Sequence, residues 1–223
     1  MDYHRITNIA DPLFTQMHQL MQEIFPPEEV LEFNLWKEPL EDPGIRVFVA
    51  VHEGKVVGAT EYRYYEDFNV AMTDFTIIGK PGLGIGPFLA NNRAQDLQEL
   101  AAANGKDLSG MFAEIYDPYR VEHHEFGGVK PMDPYVRREV LAHLGYKKIN
   151  FDYVHPSWNN DGEAVTGLDL CFLPMSENKS TILAELVVQF LKRYYSVLPN
   201  KPKMWLEMIA EIEGKDQLSL LNI

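Results

Sequence analysis

Apolar positions change their period several times along the chain, and each change marks an element. In residues 11–24 (DPLFTQMHQLMQEI), Leu13, Met17, Leu20, Met21 and Ile24 recur three and four positions apart, which predicts an amphipathic helix. Phe25-Pro26-Pro27 ends it, and a second helix is expected from Glu28 to Trp36. From Ile45 the pattern turns to β-branched and aromatic residues. Ile45 to Val51 and Val56 to Tyr65 read as strands of a hairpin around Glu53-Gly54-Lys55, and Asn69 to Ile78 as a third extended segment. A long helix is predicted from Pro87 to Asn104, closed by Gly105 in the left-handed conformation. Leu108 to Tyr116 is a strand, and residues 117–132 form a loop rich in His, Gly and Pro. Asp133 is placed to cap a helix that starts at Pro134, runs to about Leu144 and stops at Gly145. Tyr146 to Val154 and Gly167 to Leu173 are further strands, and the tail holds helical stretches over about 178–196 and 201–212. This order predicts an α+β architecture around one mixed sheet.

Composition narrows the class. With 223 residues, 46% hydrophobic and 12% aromatic, the chain can bury a core. No apolar run approaches the roughly 20 residues that span a bilayer, and the opening MDYHRITN lacks the apolar centre of a secretory signal. Cys171 is the only cysteine, which fits a reducing compartment, so a soluble cytoplasmic protein is expected. Twenty basic against 33 acidic residues give a net charge of −13. That balance disfavours nucleic acid and anionic lipid as partners and would tolerate a cationic substrate.

The informative stretch is Thr73 to Ala94, TDFTIIGKPGLGIGPFLANNRA, where a strand runs into a glycine-rich turn and then a helix. The first N–H groups of a helix lack internal partners and that end is electropositive. Gly82, Gly84 and Gly86 would let a diphosphate approach the backbone closely. Two common phosphate motifs do not fit. Gly86 is followed by Pro87-Phe88 where a Walker loop needs Lys-Ser/Thr, and a hairpin precedes the turn where a dinucleotide fold needs alternating β/α units.

What remains resembles the GNAT superfamily of acetyltransferases, over about residues 1–175. The resemblance is carried by the hairpin VAVHEGKVVGATEYRYY with its Val56-Val57-Gly58, the turn PGLGIGPFL, the strand LSGMFAEIYDP, the helix YVRREVLAHLGY ending His143 to Tyr146, and the strand KKINFDYVHP. It implies a mostly antiparallel sheet of about six or seven strands flanked by helices, with residues 176–223 as a helical extension packed on domain 1–175. It also implies transfer of an acetyl group from acetyl-CoA to a primary amine, on a small molecule or a protein, by direct attack. Ile77 or Ile78 would donate to the oxyanion, and Gly79, Lys80, Leu83, Gly84, Ile85, Gly86 and Pro87 would meet the pyrophosphate. Two positions depart from the family pattern. Pro81 stands where Arg or Gln usually opens the turn, with Lys80 beside it, and Leu141 stands where many members place a tyrosine that protonates the leaving thiolate.

Such a transfer needs a base for the ammonium, a donor for the oxyanion and an exit for the thiolate. Glu114, in the apolar strand MFAEIY, is the first candidate base, because a carboxylate there is costly unless used or paired. It would otherwise face solvent or pair with Arg120, Arg137 or Arg138. Asp74 is the second candidate and Glu61 the third. Alternation puts Phe112, Glu114 and Tyr116 on one face, so Tyr116 is a candidate acid, as is Tyr119; a CoA thiolate also leaves without help. Tyr62, Tyr64 and Tyr65, with Phe25 to Glu29, are candidates to line the acceptor pocket. His123-His124-Glu125 is not spaced for metal, and no metal is expected. Cys171 reads as a buried strand residue, and Met204, Trp205, Met208 and Ile209 as a packing face or a dimer surface, so the protein would be a monomer or a homodimer. The alternative to an enzyme is a non-catalytic acyl-CoA-binding regulatory or interaction protein of the same fold, for which Pro81 and Leu141 speak.

Overall fold

The computed structural model describes residues 1–25, 30–120, 134–176 and 179–223. The expected cap Asp133, the His123-His124-Glu125 run and the acceptor-lining residues 26–29 lie outside the described residues. The chain divides into two compact units, residues 1–111 and, among the described residues, 112–120 with 134–223.

In the first unit the strands β1 (Asp2–Ile6), β2 (Ile45–His52), β3 (Lys55–Tyr65) and β4 (Val70–Ile78) lie side by side in chain order, each antiparallel to the next. The β2–β3 hairpin turns at Glu53 and Gly54, both with positive φ (51° and 74°), as a two-residue turn between twisted strands requires. Helix α1 (Pro12–Ile24) starts where the Asp11 side chain accepts from the Leu13 N–H at 2.8 Å. It buries Phe14, Met17, Leu20 and Met21 against Val47, Val49, Ala59, Phe75 and Ile77 of the sheet, with Trp36 and Leu40 closing the cluster. The helix expected over Glu28 to Trp36 is, in the described part, a single 3-10 turn (Phe33–Trp36) running into the short α2 (Lys37–Glu41). The opposite face carries α3 (Ile85–Ala103), which ends as predicted, with Gly105 at φ 67°.

Strand β5 (Gly110–Tyr116) carries the chain into the second unit, whose sheet runs β5, β9, β6, β11, β10. Its members are β6 (Lys147–Ile149), β9 (Leu168–Pro174), β10 (Thr181–Leu183) and β11 (Gln217–Asn222), with the small pair β7 (His155–Pro156) and β8 (Ala164–Val165) apart. The strand expected over Tyr146 to Val154 ends at Ile149, where the chain folds back through a Phe151 N–H to Ile149 carbonyl contact of 3.0 Å. Helix α4 (Pro134–His143) ends at Gly145 with φ 90°. In the tail, α6 (Lys203–Glu213) matches the helix expected over about 201–212, whereas the stretch expected over about 178–196 is helical only from Ala184 (α5, Ala184–Tyr194), because Thr181–Leu183 pair with β11 as β10; β11 alternates, with Leu218 and Leu220 buried. The apolar centre is aromatic, with Phe112 stacked on Phe190 at 4.0 Å and tilted on Phe172 at 4.9 Å.

A buried ion cluster ties this unit together. Asp169, wholly inaccessible, receives Arg120 at 2.5 Å, Arg138 at 2.9 Å and Lys148 at 2.6 Å, so one carboxylate joins the turn after β5, α4, β6 and β9. Removing one member of such a set leaves uncompensated charge. Asp169→Asn is therefore expected to cost about 3–5 kcal/mol, read as a lower midpoint of urea unfolding; an unchanged midpoint would show that the cluster contributes nothing net.

Candidate functional site

The glycine turn folds as an open cradle. Gly82 and Gly84 have positive φ (84° and 67°), and no atom lies within 4 Å of the place a Cβ would take on either. Gly84 is the N-cap of α3 and supplies no side-chain cap bond, so the helix begins at Ile85, two residues before the predicted Pro87. The first intrahelical bond closes from the Phe88 N–H to the Gly84 carbonyl at 3.1 Å. Pro87 has no N–H, which leaves Ile85 and Gly86 as the donors of the first turn. Gly79, Lys80, Gly84 and Pro87 are exposed, Leu83 is half-buried against the α3 cluster, and Ile85 and Gly86 are buried. The arrangement suits an anion: open space at Gly82 and Gly84, the first-turn amides and the positive end of a helix of about five turns.

What seats α3 is the absence of a side chain at Gly58. A Cβ there would stand 2.4 Å from Ile85 Cγ2 and 2.8 Å from the Ile77 carbonyl oxygen, so Val56-Val57-Gly58 is a packing requirement as well as a motif. Ile77 is buried towards α1, whereas Ile78 packs towards Gly86. The Gly79 N–H bonds the Val57 carbonyl at 2.9 Å. Alternation along an antiparallel ladder then turns the Ile77 N–H towards β3 and the Ile78 N–H away from it. Of the two oxyanion candidates, Ile78 has the amide not spent on the β3 ladder.

Further back on β4 the register with β3 shifts. Glu61 faces Phe75 and Tyr62 faces Thr73, so Asp74 is the inserted residue of a β-bulge. The bulge sets the Asp74 carboxyl in hydrogen-bonding contact with that of Glu61. Burial, then the Asp74 charge, push the Glu61 carboxyl up to about 8, against the opposing pull of Arg63. The raised value favours the neutral form of the Glu61 carboxyl at neutral pH. Beside them Phe75 meets the rings of Phe25 at 6.3 Å and Trp36 at 6.4 Å.

In the second unit Glu114 is half-buried on β5 and is occupied. Its Oε1 accepts from the hydroxyls of Tyr195, at 2.6 Å, and Tyr153, and the two hydroxyls lie 2.6 Å apart. Burial, then the Glu114 charge, raise both tyrosines well above the ordinary phenol value, so each stays a donor. Glu114 thus pairs with tyrosines. The arginine pairs fall elsewhere, with Arg120 and Arg138 on Asp169. Tyr116 is half-buried, while Tyr119 is exposed and packs edge-on to Tyr135. Tyr62 is wholly buried under α3, where its hydroxyl bonds Asp96 at 2.6 Å, and this withdraws it from any pocket lining. Burial, then Asp169, push the Cys171 thiol up to about 12, as befits a packed strand residue. Among the described residues no group of three or more His, Cys, Asp and Glu is arranged to hold a metal, and no helix is long and apolar enough to cross a membrane.

Two features escaped the pattern of the sequence. The buried stripe of α3, Ile85, Leu89, Leu97 and Ala101, steps in fours and has Arg93 at its middle; a cation on an apolar stripe was the available signal. Tyr153 and Tyr195 carried none, since 42 residues separate the two.

Two outcomes follow. Gly58→Val should displace the start of α3, at a stability cost of about 1–3 kcal/mol read as a lower midpoint of urea unfolding; an unchanged midpoint would show that the close approach at Gly58 is not required. Because the folded-state value of Glu61 is raised, its neutral form stabilises the fold at low pH and that contribution is lost as pH climbs from about 4.3 to about 8. The melting temperature of Glu61→Gln, which cannot ionise, should therefore gain on wild type across that window and level off above it; parallel curves would refute the raised value.

No protein-family model matches this sequence, and no curated protein matches it. Solved structures do. A protein assigned to the GNAT family of acetyltransferases from Bacteroides thetaiotaomicron superposes with a TM-score of 0.59 over 91% of this chain and 100% of its own, at 15% identity. An aminoglycoside 6'-N-acetyltransferase complexed with coenzyme A gives 0.51 over 77% and 95%, at 17% identity. The protein smu.2055 of Streptococcus mutans UA159 gives 0.52 over 77% and 96%, at 12% identity. The chain has the GNAT acetyltransferase fold, α+β with a largely antiparallel sheet.

Proposed function

We propose that the protein is a GNAT-type N-acetyltransferase that moves an acetyl group from acetyl-CoA to a primary amine by direct attack, with residues 1–175 as the transferase domain and 176–223 as its extension. The observation that carries this reading is the open cradle at the start of α3, continuous with the strand that bears Asp74. In this reading the Leu83 to Gly86 backbone holds the pyrophosphate and Lys80 adds charge nearby. The Glu61–Asp74 pair takes the proton of the acceptor ammonium, whose nitrogen attacks the thioester carbonyl carbon. The Ile78 N–H meets the oxyanion, and collapse expels the CoA thiolate. Glu61 with Asp74 suits the base role better than Glu114, because a carboxyl poised near neutrality exchanges protons readily and Glu114 Oε1 is taken by two hydroxyls.

A second reading, an acyl-CoA-binding protein without turnover, is favoured by one observation: Leu141 cannot donate a proton. Thermal shift with acetyl-CoA, CoA, ATP and NAD, followed by thiol release across a panel of amines, separates the two. The proposal expects stabilisation by acetyl-CoA and CoA alone and thiol release with at least one amine. Stabilisation without release from any amine would favour the binding protein, and stabilisation by ATP or NAD in place of CoA would overturn both. Glu61→Gln should then lower kcat by about 10²–10⁴-fold with CoA binding retained, whereas a comparable loss in Glu114→Gln alone would return the base to β5.

A further inference from the structure

Arg93 is the one charged residue on the buried stripe of α3, and it is 2% exposed. Among the described residues no carboxylate lies within ion-pairing reach of it. Instead its Nη1 contacts three threonine hydroxyls: Thr60 on β3 at 3.0 Å, and Thr73 and Thr76 on β4 at 3.2 and 2.8 Å. The hydroxyls pass the interaction on. Thr73 donates to the Glu61 carbonyl at 3.0 Å and Thr60 to the Phe75 carbonyl at 3.1 Å. Those two carbonyls belong to the residue pair that adjoins the inserted Asp74.

A buried guanidinium held only by neutral groups, with its Nε unbonded, is an expensive way to fill a core position. An unbranched apolar side chain would fill the same space at lower cost. What an apolar residue cannot supply is a donor that fixes three hydroxyls at once and, through two of them, the backbone on both sides of a register shift. Bulges slip when nothing pins them, and a slip of one residue sends a side chain to the other face of the sheet.

We propose that Arg93 is a positioning residue: from the α3 face, through Thr60 and Thr73, it holds the β3–β4 bulge in the register that brings the Glu61 and Asp74 carboxyls together on the other face. The catalytic part of this inference rests on the reading of that pair as the proton acceptor; the positioning part does not. The charged groups acting on Glu61 are Asp74 from β4 and Arg63 from β3 itself, and Arg63 is paired with Asp42 at 2.9 Å. The neighbours across β3 and around it, Val47, Phe75, Phe25 and Trp36, are neutral.

The test is a carboxyl-carbon NMR titration of the full chain without coenzyme, on wild type, Arg93→Met, Thr73→Val, Thr73→Ser and Asp74→Asn. In wild type the Glu61 carboxyl should titrate at about 8, far above the ordinary glutamate value of about 4.3. Asp74→Asn should lower it by about one pH unit or more, the loss of a like charge. Arg93→Met and Thr73→Val should lower it comparably, with melting temperatures close to wild type, while Thr73→Ser, which keeps the hydroxyl, should leave it unchanged. Folded Arg93→Met and Thr73→Val proteins that titrate like wild type would overturn the proposal, as would an ordinary titration of Glu61 in wild type. Because this signal is read without substrate, a failed amine panel would sink the transferase reading and leave the positioning role standing.

Discussion

The place where α3 rests on β3 and β4 positions both the glycine cradle and the strands that carry the Glu61–Asp74 pair. Near its start the contact is steric: Ile85 sits where a side chain at residue 58 would be, so only glycine lets the helix end approach the sheet. Two turns further on the contact is polar, through Arg93 and its three threonines. The first contact sets how far the amides of Ile85 and Gly86 stand from β4. The second sets the register of the strands beneath. A cradle and a carboxyl pair on opposite faces of one sheet are thereby fixed by one helix, whose own stripe of Leu89, Leu97 and Ala101 supplies ordinary apolar packing between.

The two units treat buried charge in opposite ways. Asp169 is surrounded by three cations, and the cost of removing it from water is offset by short, charge-assisted bonds. Arg93, among the described residues, has hydroxyls for partners. The first arrangement stabilises, because any member removed leaves the others exposed to an unbalanced field. The second is a net expense in stability that a strand register can justify and packing cannot. Tyr62, Asp96 and Arg46 lie between these extremes: a carboxylate bonded by a phenol and by a guanidinium fork, tying β2 and β3 to α3.

Much of this was legible in the chain. The helix over 12–24, the hairpin, the long helix after the glycines and the strand ending at Tyr116 follow from period and turn chemistry, which are local. Three things were not local. β1 has a single buried apolar residue, Ile6, so its five residues look like a polar terminus until β2 supplies the ladder. β11 was short enough to be absorbed into a helical tail, although Leu218 and Leu220 alternate with exposed neighbours. The bulge at Asp74 arises from pairing between strands and leaves no mark on either strand alone. The cradle glycines were readable because a positive φ selects glycine locally, whereas the partners of Glu114 come from residues 153 and 195, which only the fold brings together.

The absent acid at Leu141 shifts the burden of the proposed chemistry. A tyrosine can protonate a thiolate only if its own proton is not held far more tightly than a thiol holds one, near about 8.5. Tyr153 and Tyr195 fail that condition, since burial and the Glu114 charge both raise them. A CoA thiolate, stable enough to depart unprotonated at neutral pH, does not need them. The amine is the harder partner: as an ammonium of pKa near about 10.4 it is no nucleophile. A carboxyl of ordinary strength would accept its proton only against a gradient of some six pH units. Glu61, lifted by its buried place and by Asp74, narrows that gap by more than half. In the proposed reaction the raised carboxyl therefore serves the amine, where proton transfer is difficult, and the leaving group departs unaided.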